Sequence, residues 1–98
     1  MLFLVTWTFV DTSETAVRRS LTVFSKWQPP DGAQFHGFYG YADSSGGAAI
    51  VEVDSHETLE RTTAPWQPWL RFTATAIVPI EESAAIASEA MAFRDSVA

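Results

Sequence analysis

The six residues VDTSET, Val10–Thr15, return as VDSHET at Val53–Thr58, aligned without a gap 43 residues further on. Each copy sits where an apolar alternating run gives out and a polar, helix-starting run begins. Upstream of the first copy, Leu2 to Phe9 reads as a strand. Phe3, Val5, Trp7 and Phe9 take one face, and Leu2, Leu4, Thr6 and Thr8 take the other. Downstream, Asp11 followed by Glu14 is a capping-box-like helix start. Val17, Leu21 and Phe24 then recur at i, i+4, i+7 spacing, one stripe of a helix. Pro29, Pro30 and Gly32 end it.

The second copy has the same surroundings. Phe35 to Tyr41 and Ala48 to Val53 read as two strands joined by the flexible DSSGG, Asp43–Gly47. Asp54 and Glu57 open a second helix that runs to about Thr63. Pro65 and Pro68 keep the next stretch extended. Leu70 to Val78 is a fourth strand, and Pro79 terminates it. Glu81 to Val97 is a third helix, with Ile86, Ala90, Phe93 and Val97 on one stripe. Shared capping rules produce a six-residue match as readily as duplication does. Even so, each copy stands where a split β-α-β fold needs a strand-to-helix turn. Right-handed crossovers then give an antiparallel sheet of order 4-1-3-2 with both helices on one face. The expectation is a single α+β domain over residues 1–98, a ferredoxin-like β-α-β-β-α-β subunit with an added C-terminal helix.

Composition narrows the function. The chain has 98 residues, 47% of them hydrophobic and 13% aromatic, which is enough for a core and points to burial against a partner chain. A net charge of −6 repels phosphate backbones and anionic lipids, so neither nucleic acid nor a membrane is expected as a partner. With no cysteine there is no disulfide, thiolate nucleophile or Cys-ligated metal. MLFLVTWTFV is too short to span a bilayer, which takes ~20 residues. It also lacks the basic start of a signal peptide, so the expected location is the cytoplasm.

The sheet face away from the helices decides the assembly. Strand 1 gives it Leu2, Leu4, Thr6 and Thr8; strand 3 gives Ala48, Ile50 and Glu52; strand 4 gives Trp69, Arg71, Thr73, Thr75 and Ile77. Either this face is solvated, its threonines serving strand propensity, or the sheet of a second copy packs over it. We expect the second, a homodimeric α+β barrel, because solvation leaves Leu2, Leu4, Ile50, Ile77 and Trp69 as one apolar patch.

Candidate site residues follow from that face. Glu52 and Arg71 are placed two strand spacings apart, about 9–10 Å, with Thr6 and Thr8 between. They form either a structural ion pair across a dimer core or a site in which Arg71 holds an oxygen and Glu52 acts as a base. His36 is placed opposite Phe35 and Tyr39, either as a third acid–base candidate or as a half-buried polar residue. His56 is expected on an exposed helix turn. The spacing of the two histidines makes no metal site, and Gly46-Gly47 lacks the lysine and following helix of a phosphate loop. Trp66 and Trp69 anchor the connection between helix 2 and strand 4, or form the aromatic lip of a pocket.

Three stretches, LFLVTWTF, PPDGAQFHGFYGYADSSGGAAIVEVDSHETL and WLRFTATAIVPI, resemble the DUF3303 domain family of small bacterial proteins. The marks are Val5-Thr6-Trp7, the Pro-Pro-x-Gly at Pro29–Gly32 and the V-E-x-D at Val51–Asp54. Where members often carry a Gly-Arg-Trp-His-like run, this chain has Gly37-Phe38-Tyr39-Gly40. The resemblance implies a ferredoxin-like subunit in a dimeric barrel and no assigned activity. The wider superfamily holds cofactor-free monooxygenases, isomerases, dehydratases and haem-degrading enzymes. The polar cluster on a face that otherwise wants covering sets the expected function: binding of a small organic molecule in the barrel, or cofactor-independent catalysis of the monooxygenase or isomerase type, with no cofactor. Glu52, Arg71 and His36 are the catalytic candidates, and Thr6, Thr8, Thr73, Trp69 and Trp66 the ligand contacts. The alternative is a dimerisation or regulatory module with a packed barrel.

Overall fold

The computed structural model describes residues 1–97. In chain order the elements are β1 (Leu2–Phe9), α1 (Glu14–Lys26), β2 (Ala33–Gly40), β3 (Gly46–Val53), α2 (His56–Thr63), a 3-10 turn (Ala64–Trp66), β4 (Leu70–Ala76) and α3 (Ile80–Ser96). The chain is α+β, with one four-stranded sheet in which every neighbouring pair is antiparallel. Its order, β2-β3-β1-β4, is 4-1-3-2 seen from the opposite edge.

Alternation in β1 sets the two faces. Phe3 stands opposite Val51 and Ala76, and Val5 opposite Ala49 and Ala74. These rows lie under the helices, where Phe3, Val5, Val51 and Val53 form the buried core with Phe35, Leu59 and Phe72 packed against it. The other face carries Leu4 opposite Ile50 and Thr75, and Thr6 opposite Ala48 and Thr73. In the single chain Leu4, Ile50 and Thr73 are exposed.

Strand β2 departs from simple alternation. The register slips between Phe35 and Gly37, a bulge at His36. The extra residue puts Phe35 and Phe38, three apart, on the helix side with their rings stacked at 5.0 Å. His36 and Tyr39 go to the open face. This corrects the expectation that His36 lies opposite Tyr39, and the cause is the bulge, which breaks period-two counting.

Both strand-to-helix turns are capped by serine, not aspartate. Ser13 Oγ accepts from the Ala16 N–H at 3.2 Å, and Ser55 Oγ accepts from the Thr58 N–H at 3.2 Å. The caps stand at the fourth residue of VDTSET and the third of VDSHET, one position out of step. Asp11 instead accepts from the Ser13 N–H, and Asp54 accepts from the Thr58 hydroxyl at 2.5 Å.

Helix α3 stands apart from this body. None of its residues is buried. The radius of gyration is 17.7 Å, where a chain this size folds to about 13 Å, and the longest extent is 62 Å against 30 and 19 Å. Ile77 is still tied to the sheet, its N–H donating to the Leu2 carbonyl at 3.0 Å. Only Val78 and Pro79 connect it to the helix. Proline restricts the residue before it to extended backbone, and Pro79 itself has ψ 146°. The joint is extended at Pro79, and α3 runs outward from it.

Candidate functional site

The helix side of the sheet builds an aromatic cluster. Trp7 comes from β1, Phe35 and Phe38 from β2, Phe72 from β4, Phe24 from α1, and Trp27 from the residue that caps α1. Trp66 enters from the 3-10 turn behind α2. The sheet presents these rings because Trp7 and Phe72 pair across β1 and β4, and because the bulge adds Phe38 to the face. Trp27 and Trp66 meet edge to face at 5.2 Å, Trp7 and Phe38 at 5.7 Å, and Phe24 and Phe38 at 5.8 Å. Edge-to-face contacts suit the ring quadrupoles. Trp66 is buried, and its indole N–H donates to the Ser20 carbonyl at 3.2 Å, which fixes the ring against α1. Room for the Trp7 indole exists because position 47 is glycine. A Cβ there would stand 2.3 Å from the ring.

The rings enclose a half-open cavity of about 240 Å³. Ala49, Val5 and Val51 floor it; Leu21 and Phe24 stand exposed at α1. Two of its three hydroxyls are spent locally. Thr62 donates to the Leu59 carbonyl at 2.6 Å and Thr63 to that of Glu60 at 3.2 Å. No ionisable side chain is among the residues that line it. Such a lining favours an uncharged, largely apolar occupant.

The open face holds the polar candidates, arranged otherwise than expected. His36 Nε2 lies 3.2 Å from Glu52 Oε1, and both side chains are exposed. Arg71 is not with them. Glu52 pairs with Leu2 and Arg71 with Thr8, six residues further along β1, about 20 Å away. The expected Glu52–Arg71 approach is thus corrected. Glu52 ends β3 and Arg71 begins β4, so two strands flanking the same neighbour bring them to opposite ends. Thr6 and Thr73 face each other midway, and Thr8 lies beside Arg71. Trp69 belongs to neither group. It sits in the turn before β4, half-buried, its carbonyl accepting from the Val10 N–H at 2.9 Å. Trp66, expected on the same site, lies on the opposite side of the sheet in the aromatic cavity. Sequence reasoning missed Trp7, Phe24, Trp27, Phe35, Phe38 and Phe72 as site residues. The signal was present in the Phe35–Phe38 spacing, wrong for a regular strand, and in Trp27 following Phe24 by three.

Three carboxyls are held below their ordinary range, each by local hydrogen bonds. For Asp54 the chief cause is the Thr58 hydroxyl, for Asp43 the Ser45 hydroxyl, and for Asp11 the Ser13 backbone N–H. All three serve turns and none lines the cavity. Among the described residues no three His, Asp or Glu side chains gather as a metal site. Nor is any helix there long and apolar enough to cross a membrane.

A family model described as "Domain of unknown function (DUF3303)" matches residues 1–91. No curated protein matches the chain.

Proposed function

The chain belongs to the DUF3303 family, and from that premise we propose that it is a binding protein for a small, flat, uncharged molecule. The ligand is held in the aromatic cavity between α1 and the sheet. One observation carries this: about 240 Å³ of half-open space ringed by tryptophan and phenylalanine. An apolar cavity of about 150 Å³ is enough for benzene, so this one suits a bicyclic aromatic. The absence of ionisable lining makes the reading one of binding, not turnover.

The subunit is read as ferredoxin-like and as half of a homodimer. Support comes from the open face, where Leu2, Leu4 and Ile50 are neighbours on two paired strands. A second reading places cofactor-free catalysis on that face, within a dimeric barrel. The His36–Glu52 pair is its support, an imidazole and a carboxylate in contact.

The test is a thermal-shift series with naphthalene, indole and, as charged controls, naphthoate and tryptamine. Neutral bicyclics are expected to raise the melting temperature progressively, about 2.7 kcal/mol of stabilisation at 100 times Kd. Leu21→Trp, which fills the mouth of the cavity, is expected to abolish the shift with the fold intact. No shift with neutral aromatics, or an unchanged shift in the Leu21→Trp chain, overturns the binding reading. Turnover lost on Glu52→Gln would establish the second.

A further inference from the structure

We propose that α3 of each chain lies across the open sheet face of a second copy, in a reciprocal two-fold exchange. The inference rests on the homodimer reading, with α3 taking the place of the partner's sheet over the open face. Each chain has one uncovered helix and one uncovered sheet face. On α3, Ile80, Ile86, Ala90, Met91 and Phe93 fall within one half of the helix circumference, and Glu81, Glu82, Glu89 and Asp95 on the other half or its border. A helix with so wide an apolar arc needs cover.

Three observations point to a second copy as that cover. The first is area. The chain exposes 7036 Å², where a folded chain of 10.8 kDa exposes about 5,500 Å². Burying the difference of about 1,500 Å² on each chain gives an interface of the size that obligate dimers use. The second is the stance of the helix: α3 buries no residue against its own sheet and is carried outward from it. The third is fit. Seventeen helical residues span about 25 Å, and the eight-residue β1 spans about 26 Å. Charges match at both ends of that length. Glu82 and Arg94 are twelve residues apart, about 18 Å, and Arg71 and Glu52 are separated by about 20 Å along the sheet. Arg94 interrupts the apolar arc, so docking the arc brings it against the sheet, where Glu52 is the acid. Two identical patches related by a two-fold satisfy both helices and both faces at once.

The experiment is sedimentation of the full chain and of variants at micromolar concentration. The wild type is expected to be a dimer. Ile86→Glu with Phe93→Glu is expected to weaken it by on the order of 100-fold with unchanged circular dichroism, and Ala92→Glu on the polar side to leave it intact. Arg94→Glu is expected to weaken the dimer, and adding Glu52→Lys to restore it, a result that keeps the test alive if the double glutamate fails to fold. A dimer indifferent to the α3 substitutions, or no restoration by Glu52→Lys, overturns the exchange while the homodimer stands. A monomeric wild type overturns the homodimer itself.

Discussion

Gly32 occupies a backbone position that a side chain cannot. Its φ is +88°, and a Cβ there would lie 2.3 Å from the Asp54 carboxylate. The contact is part of a clasp, because the Asp54 N–H also donates to the Gly32 carbonyl at 3.1 Å. Gly32→Ala is expected to destabilise by about 1–3 kcal/mol, read by urea denaturation. Asp54 itself gives a pH signature. The Thr58 hydroxyl holds its carboxyl below 3.8, so the folded chain takes up that proton less readily than the unfolded one. The stabilisation is complete above the ordinary value and is lost as pH falls through the lowered one. Asp54→Asn should therefore flatten the acid limb of stability below about pH 4. At the other extreme, the His36–Glu52 contact is exposed on both sides, and Glu52→Gln is expected to cost under about 0.5 kcal/mol.

At the scale of elements, the strands and helices were legible because their periods differ. Leu2–Phe9 alternates cleanly, and the α1 stripe of Val17, Leu21 and Phe24 repeats at helical spacing. What counting missed was local geometry. The bulge at His36 adds one residue to β2, so parity assigned every later side chain of that strand to the wrong face. The same event hid Phe38 from the aromatic cavity. Capping was misread for a related reason: Asp and Ser both suit the first turn, and only the backbone angles decide which one caps. Strand pairing also explains a glycine. Gly47→Ala would drive a methyl to 2.3 Å from the Trp7 ring and 2.4 Å from the Tyr39 carbonyl. Because the carbonyl is backbone and cannot yield, a loss of about 1–3 kcal/mol is expected in thermal or urea unfolding.

Over the whole molecule, sheet order followed from two right-handed crossovers, whereas the distance between Glu52 and Arg71 did not. Order is fixed by topology, but proximity along a strand needs the register. The stance of α3 was likewise beyond pattern reading, since a stripe of Ile86, Ala90, Phe93 and Val97 says that a helix seeks cover and not on which molecule. Native-state hydrogen exchange separates the parts. Amides of β1 and β3, paired on both sides, are expected to exchange slowest. Those of α3 should be protected in the assembled wild type and fast in the chain carrying Ile86→Glu and Phe93→Glu.

The crossing of Trp27 and Trp66 has an optical consequence. Two indoles at 5.2 Å with planes 76° apart are close enough for their excited states to mix. Their ultraviolet bands should split into a couplet of opposite signs, which Trp66→Phe would erase. A third indole, Trp7, shares the same chamber. Any guest slipping between these rings would change the couplet and the emission together. The protein thus carries a label-free gauge of its own occupancy.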